Sequence, residues 1–211
     1  MTALALKVLV GSTRPGRNAD RVVPWVAGLA AAHPAFAVEV LDLRDWPLPF
    51  FAEGYHTIGD PLDPTYSDPL VKRWNATIAG GDAFVFVTPE YNHSLPAVLK
   101  NAIDSVFVSF GFRNKPAAAV GYSGGLAAGV RAVEHLAHVL IEAEAVPLRN
   151  AVLIPQVGSA FDDDGAPRDP ATVRAATIML DDLAWWGGVL RRAREEGSLP
   201  PAPLRAAALS H

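Results

Sequence analysis

Five short apolar runs alternate along this chain with stretches of helical spacing, and that alternation leaves few folds open to it. The runs are residues 4–10, 36–43, 83–87, 117–120 and 151–154, each ended by glycine, proline or acidic residues. Most are short and continuously apolar, as suits a sheet covered on both faces, while 36–43 alternates well enough for a strand. Between them, residues 19–32 carry Val22, Val23, Val26 and Leu29 at helical spacing and stop at His33-Pro34. Ser67 or Asp68 opens a second helix, with Pro69 in its first turn, through Leu70, Trp74 and Ile78 to Gly80-Gly81. Residues 97–107 offer Val98, Ile103, Val106 and Phe107 for burial, and residues 127–145 offer Val130, Val133, Leu136, Leu140 and Ile141. Asp169 caps a last helix running from Pro170 to about Arg194. The order βαβαβαβαβα predicts an α/β fold with a five-stranded parallel sheet and helices on both faces. Ligands of such sheets bind beyond the carboxyl ends of the strands.

Three polar segments rich in glycine or proline, at 11–18, 88–96 and 121–125, follow the first, third and fourth strands and therefore share that edge. The first reads Gly11-Ser12-Thr13-Arg14-Pro15-Gly16-Arg17-Asn18 and leads into a helix. Gly16 can take positive φ, and a helix N-terminus with unpaired N–H groups attracts anions. Ser12, Thr13 and Asn18 add neutral donors, while Arg14 and Arg17 add charged ones. The plainer alternative is a polar turn with two solvated arginines. There is neither a Gly-Lys-Ser/Thr ending nor a G-x-G-x-x-G pattern, which disfavours ATP and a Rossmann-bound dinucleotide.

The 211 residues, half of them apolar, suffice for one substantial core. We read a single domain over residues 1–196, followed by a Pro/Ala-rich tail at 197–211. A net charge of −4 without a basic cluster argues against nucleic acid. The absence of cysteine excludes disulfides, thiolate nucleophiles and cysteine metal sites. No run is long enough for a membrane span or a signal segment, so the expectation is an unprocessed cytoplasmic protein. Residues 46–69 form a long proline-rich stretch carrying Phe50, Phe51, Tyr55 and Tyr66. Its aromatic content predicts a loop over the pocket rim or against a partner subunit, with a mobile linker as the alternative. Asp162-Asp163-Asp164 lacks the ligand spacing of a calcium loop and reads as a solvated acidic turn; no metal site is predicted.

Taken together, Gly11 to Arg17, then Pro89-Glu90-Tyr91-Asn92-His93-Ser94-Leu95-Pro96 with Leu99-Lys100-Asn101-Ala102-Ile103-Asp104, then Gly121-Tyr122-Ser123-Gly124-Gly125 resemble the NADPH-dependent FMN reductase family. That family has the flavodoxin-like fold and includes quinone, azo-dye and chromate reductases. The resemblance covers about residues 4–190. It implies that Ser12, Arg14, Arg17 and Asn18 hold the FMN phosphate, that Pro89, Glu90, Tyr91 and Asn92 run along the isoalloxazine, and that Ser123, Gly124 and Gly125 meet its other side. Asn18 stands where many members have Ser, and Ser94 where Gly is frequent. The implied activity is an FMN-dependent NAD(P)H oxidoreductase. It passes hydride from NAD(P)H to the flavin N5 and on to a quinone, flavin, azo compound or metal oxyanion in a ping-pong cycle, without a catalytic side chain. The contrasting reading is a flavodoxin-type electron carrier; carriers of that kind resemble shorter, more acidic chains. His93 is read as a surface loop residue, and Asn101 and Asp104 as structural. Arg113 and Lys115, before the fourth strand, are the candidates for a 2′-phosphate. A homodimer or homotetramer is expected by the same resemblance.

Overall fold

The computed structural model describes residues 2–54, 56–60, 64–198 and 200–209; Tyr55 and the side chain of Phe107 lie outside that description. The elements are β1 (Leu4–Val10), α1 (Ala19–Ala32), β2 (Phe36–Asp42), α2 (Pro69–Ala79), β3 (Ala83–Pro89), α3 (Ala97–Asp104), β4 (Pro116–Tyr122), α4 (Val130–Glu142), β5 (Val146–Pro147), β6 (Val152–Ile154), α5 (Pro170–Glu196) and α6 (Ala202–Leu209). All strand pairings are parallel, in the order β2-β1-β3-β4-β5, with β6 also pairing β4. This is the predicted sheet, with one difference. The fifth position is divided into β5 and β6, because the chain leaves β4 after Pro147 and rejoins it at Val152.

β3 is buried along its whole length, as a central strand between two helical layers must be. One layer is α1 and α5: Val22 and Val26 meet Leu180 and Leu183 over Val8, Val85 and Val120. The other is α2, α3 and α4, where Trp74, Ile103 and Leu136 close over Leu9, Phe84 and Phe86. Asp68 caps α2, accepting from the Leu70 amide at 2.7 Å and the Val71 amide at 3.3 Å, with Pro69 at N1. Asp169 likewise accepts from the Ala171 amide at 2.8 Å.

Several expectations are corrected. The helix α4 starts at Val130, because Gly129 sits at φ 83° and ends a turn rather than continuing a helix. Its buried residues are Ala132, Leu136 and Leu140, and Ile141 is exposed. Residues 202–209, within the Pro/Ala-rich tail for which no helix is predicted, form α6, and Arg113 donates to the Pro200 carbonyl in front of it.

The 46–69 stretch packs on its own chain. Trp46 meets Trp74 edge-on at 4.9 Å with Arg73 over its outer face. Ile58 and Tyr66 are buried against Val71 and Val108. Asn101 on α3 clamps the loop through both ends of its amide, accepting from the Phe51 amide at 2.9 Å and donating to the Pro49 carbonyl at 2.9 Å. Of the described loop aromatics, Phe50 is the one left in solvent.

Candidate flavin pocket

The three polar segments converge at the carboxyl end of the sheet. The Gly11 amide donates to the Val87 carbonyl at 2.8 Å. A Cβ at position 11 would lie 2.8 Å from Leu99 Cδ2 and 3.2 Å from that carbonyl, so glycine is what lets the first loop cross β3.

Two arginines brace this loop from behind. Arg17 is buried and donates to Asp20 at 2.8 Å, to both oxygens of Asp42 and to the Ser12 carbonyl. Asp42 is there because parallel pairing sets the last residue of β2 opposite Val10. Arg44 donates to the Arg14 carbonyl at 2.6 Å and pairs with Asp20 at 3.3 Å. The Asp42 hydrogen bonds push the Arg17 pKa further up. Burial works against charge on Asp42, yet the bonds from Arg17 and the Arg44 amide outweigh it and hold the carboxyl below its usual value. A trans peptide points its N–H opposite to its C=O, so turning the Ser12 carbonyl to Arg17 turns the Thr13 amide the other way. Among the described residues, the amides of Ser12, Thr13 and Arg14 donate to no backbone carbonyl.

Arg14 is placed differently. Its guanidinium lies 5.5 Å from the centroid of the Tyr91 ring, exposed, with no carboxylate partner among the described residues. Asn18 is the N-cap residue of α1, but its side chain caps nothing. The second segment turns back on itself through reciprocal Tyr91–Ser94 backbone bonds of 2.9 and 3.1 Å. Asn92 and His93 take φ 49° and 72°, the positive pair that a two-residue I′ turn requires. Tyr91 OH meets Ser12 Oγ at 2.7 Å, and Ser94 Oγ meets His135 Nδ1 at 2.9 Å. The third segment is held by the Ser123 amide on the Ile154 carbonyl at 3.2 Å and by Gly129, where a Cβ would stand 2.4 Å from the Tyr122 nitrogen.

These segments enclose a cavity of about 280 Å³. Arg14, Arg17 and Asn18 line it from the first, Pro89, Glu90 and Tyr91 from the second, and Ser123 and Gly124 from the third. Three of the residues expected at the cofactor do not line it. Ser12 is fully buried behind Tyr91, Asn92 points out at the turn, and Gly125 is exposed. Sequence reasoning missed Tyr122 and Val157, which also line it, and Arg131, which pairs with Glu90 from the first turn of α4. The Asp42 brace depends on strand order, since it is β2 beside β1 that brings that carboxylate to the loop. Tyr122 gave no signal, because an aromatic residue ending a buried strand reads as core. Arg113 and Lys115 stand at the opposite, amino end of β4, and with seven strand residues between they are roughly 20 Å from the pocket. Neither can meet a ligand there.

A larger cavity, about 710 Å³, lies between α1 and the 161–166 turn, but Asp20, Asp162, Asp163 and Asp164 against Arg21 give it the wrong sign for a phosphate. Asp162 Oδ1 accepts the Asp164 and Ala166 amides, so the acidic turn is held by itself. No acidic or histidine cluster able to hold a metal occurs among the described residues, and none of their helices is long and apolar enough to cross a membrane.

Residues 5–159 match the model of the NADPH-dependent FMN reductase family. An NAD(P)H-dependent FMN reductase of Pseudomonas aeruginosa is 33% identical over 184 residues, covering 86% of this chain and 94% of its own. One from Schizosaccharomyces pombe is 38% identical over 118 residues, 56% of each chain. Among solved structures, the flavoenzyme NAD(P)H:(acceptor) oxidoreductase FerB of Paracoccus denitrificans superposes with a TM-score of 0.71 at 25% identity, covering 88% of this chain and 98% of its own. With the strand order, the three converging loops and a family match over three quarters of its length, this chain belongs to the NADPH-dependent FMN reductase family.

Proposed function

We propose that the chain is an FMN-dependent NAD(P)H oxidoreductase whose FMN phosphate sits against the 11–18 loop. The observation that carries this reading is a loop braced by Arg17 and Arg44 on its carbonyl side, with Arg14, Asn18 and unpaired amides left over on the other. That donor set fits a phosphate dianion. Arg14 and Asn18 contact it directly, while Arg17 and Ser12 act from behind by holding the loop and Tyr91. Pro89 to Tyr91 with Ser123 and Gly124 would flank the flavin, since they line the same cavity of about 280 Å³ as Arg14 and Asn18. When bound, FMN would supply the redox chemistry, hydride transfer from NAD(P)H to a second substrate by way of its N5. The protein positions and shields.

Relatives named quinone reductase from Pseudomonas putida, a 2-hydroxy-1,4-benzoquinone reductase from Burkholderia and an FMN-dependent NADPH-azoreductase from Staphylococcus haemolyticus support a quinone or azo acceptor. A flavin ring held with one face open would admit the nicotinamide and the acceptor only in turn. Steady-state kinetics should therefore give parallel double-reciprocal lines, with excess quinone competing against NADPH; intersecting lines would contradict the shared face. We also propose a two-fold homo-oligomer formed through α3 and α4, where Ile141 is exposed and Ile103 and Val139 line a shallow groove. Light scattering should give at least twice the 22.4 kDa chain mass, and a monomer at micromolar concentration would remove the proposal.

A further inference from the structure

Tyr122 is 2% exposed, packed in the core layer of α1 and α5, and is one of the residues that line the cavity. Its backbone cannot yield: Tyr122 pairs with Pro89 across the sheet, and its carbonyl accepts the Glu90 amide at 3.1 Å. Yet its hydroxyl is buried with no hydrogen-bond partner, one of three such side-chain atoms among the described residues; the others are Glu90 Oε2 and Arg131 Nε. Phenylalanine would fill the same apolar space without leaving a polar group unpaired, and an unpaired buried hydroxyl is destabilising. A hydroxyl kept at such a place calls for a partner that is absent from the empty chain. Burial first, and then the Tyr91 phenol, push this phenol above its usual range against the smaller opposing pull of Arg17 and the Ser12 hydroxyl, so that it stays protonated and able to donate.

We propose that Tyr122 is a flavin-positioning residue whose buried hydroxyl donates to a phosphate oxygen of FMN at the floor of the pocket. The proposal rests on the reading of the cavity as an FMN site. It gives Tyr122 two opposed effects, a burden on the empty protein and a gain on the loaded one. Arg14 and Asn18 would hold the phosphate from the loop, and Tyr122 from the end of β4, fixing it against two elements instead of one.

The test is Tyr122→Phe, measured on the FMN-free full chain and by titration with FMN and with riboflavin. Loss of the orphaned hydroxyl should raise the melting temperature of the FMN-free protein by about 2–4 °C. The FMN dissociation constant should rise about tenfold or more, as expected for a donor to a charged group, while that of riboflavin stays within twofold. A fall in the melting temperature of the empty protein would show the hydroxyl to be part of the core and overturn the proposal. So would an unchanged FMN affinity, or an equal loss for both flavins. In each of those cases a wild-type protein that binds FMN leaves the flavin reading standing; a wild type that binds no FMN overturns both.

Discussion

At the residue scale, the two arginines of the first loop have parted company. Among the described residues the Arg14 side chain is held by nothing but the face of Tyr91, whereas Arg17 is enclosed by Asp20, Asp42 and the Ser12 carbonyl. Charge-assisted hydrogen bonds are worth about 1.5–3 kcal/mol. Arg14→Ala should therefore weaken FMN roughly 10- to 150-fold, change riboflavin far less and leave folding stability within about 0.5 kcal/mol. Arg17→Ala should instead lower stability by roughly 2–3 kcal/mol. That is less than the loss of a fully buried pair, since Asp42 and Asp20 keep access to water. Chemical denaturation and flavin titration of both variants check this, and an Arg14 variant as unstable as the Arg17 one would contradict the division of labour. The sequence showed two arginines in a phosphate-type loop, but could not tell them apart. Their difference depends on Asp42, 25 residues along the chain from Arg17 and adjacent only through the pairing of β1 with β2.

At the element scale, α2, β3 and β4 meet at the amino end of the sheet around Lys115. Its ammonium donates to the Ala79 carbonyl at 2.7 Å and the Ile78 carbonyl at 3.4 Å, closing the C-terminus of α2, with Phe84 alongside. Burial first, and then the charge of Arg194, bring its pKa down from 10.5 to about 8, against the pull of Asp82. Below pH 8 both the folded and the unfolded chain hold this proton, and the folded chain bears the cost of a desolvated charge. Between pH 8 and 10.5 the unfolded chain retains a proton that the folded one has released, so this residue's contribution to stability rises with pH across that window. The full span is roughly 3 kcal/mol. Compared with Lys115→Met, the wild type should gain stability as pH is raised from 8 to 10 in urea unfolding, and parallel profiles would contradict the shift. The elements themselves were largely legible, since buried strands and capped helices declare themselves through Val-rich runs, Asp68-Pro69 and Asp169-Pro170. What was not legible were features set by tertiary contact. The break between β5 and β6 is one, and the start of α4 behind Gly129 is another, where the close approach to Tyr122 demands a glycine.

At the scale of the whole molecule, parallel pairing in the order β2-β1-β3-β4-β5 brings the ends of β1, β3 and β4 side by side, and the three polar loops meet because of it. Eight of the residues expected at the cofactor line one cavity for that reason. The 46–69 stretch was harder to place from sequence: its described aromatics other than Phe50 are satisfied within the chain, by Trp74, Asn101 and the Ile58 cluster. The central claim is that this fold holds FMN so that NAD(P)H can reduce it and a second substrate can reoxidise it. It is tested most directly by the visible spectrum of the FMN-loaded protein under anaerobic NADPH. The yellow absorbance should bleach stoichiometrically and return when a quinone is added. Bound FMN that stays yellow with both NADPH and NADH would contradict the claim and leave a flavin carrier in its place.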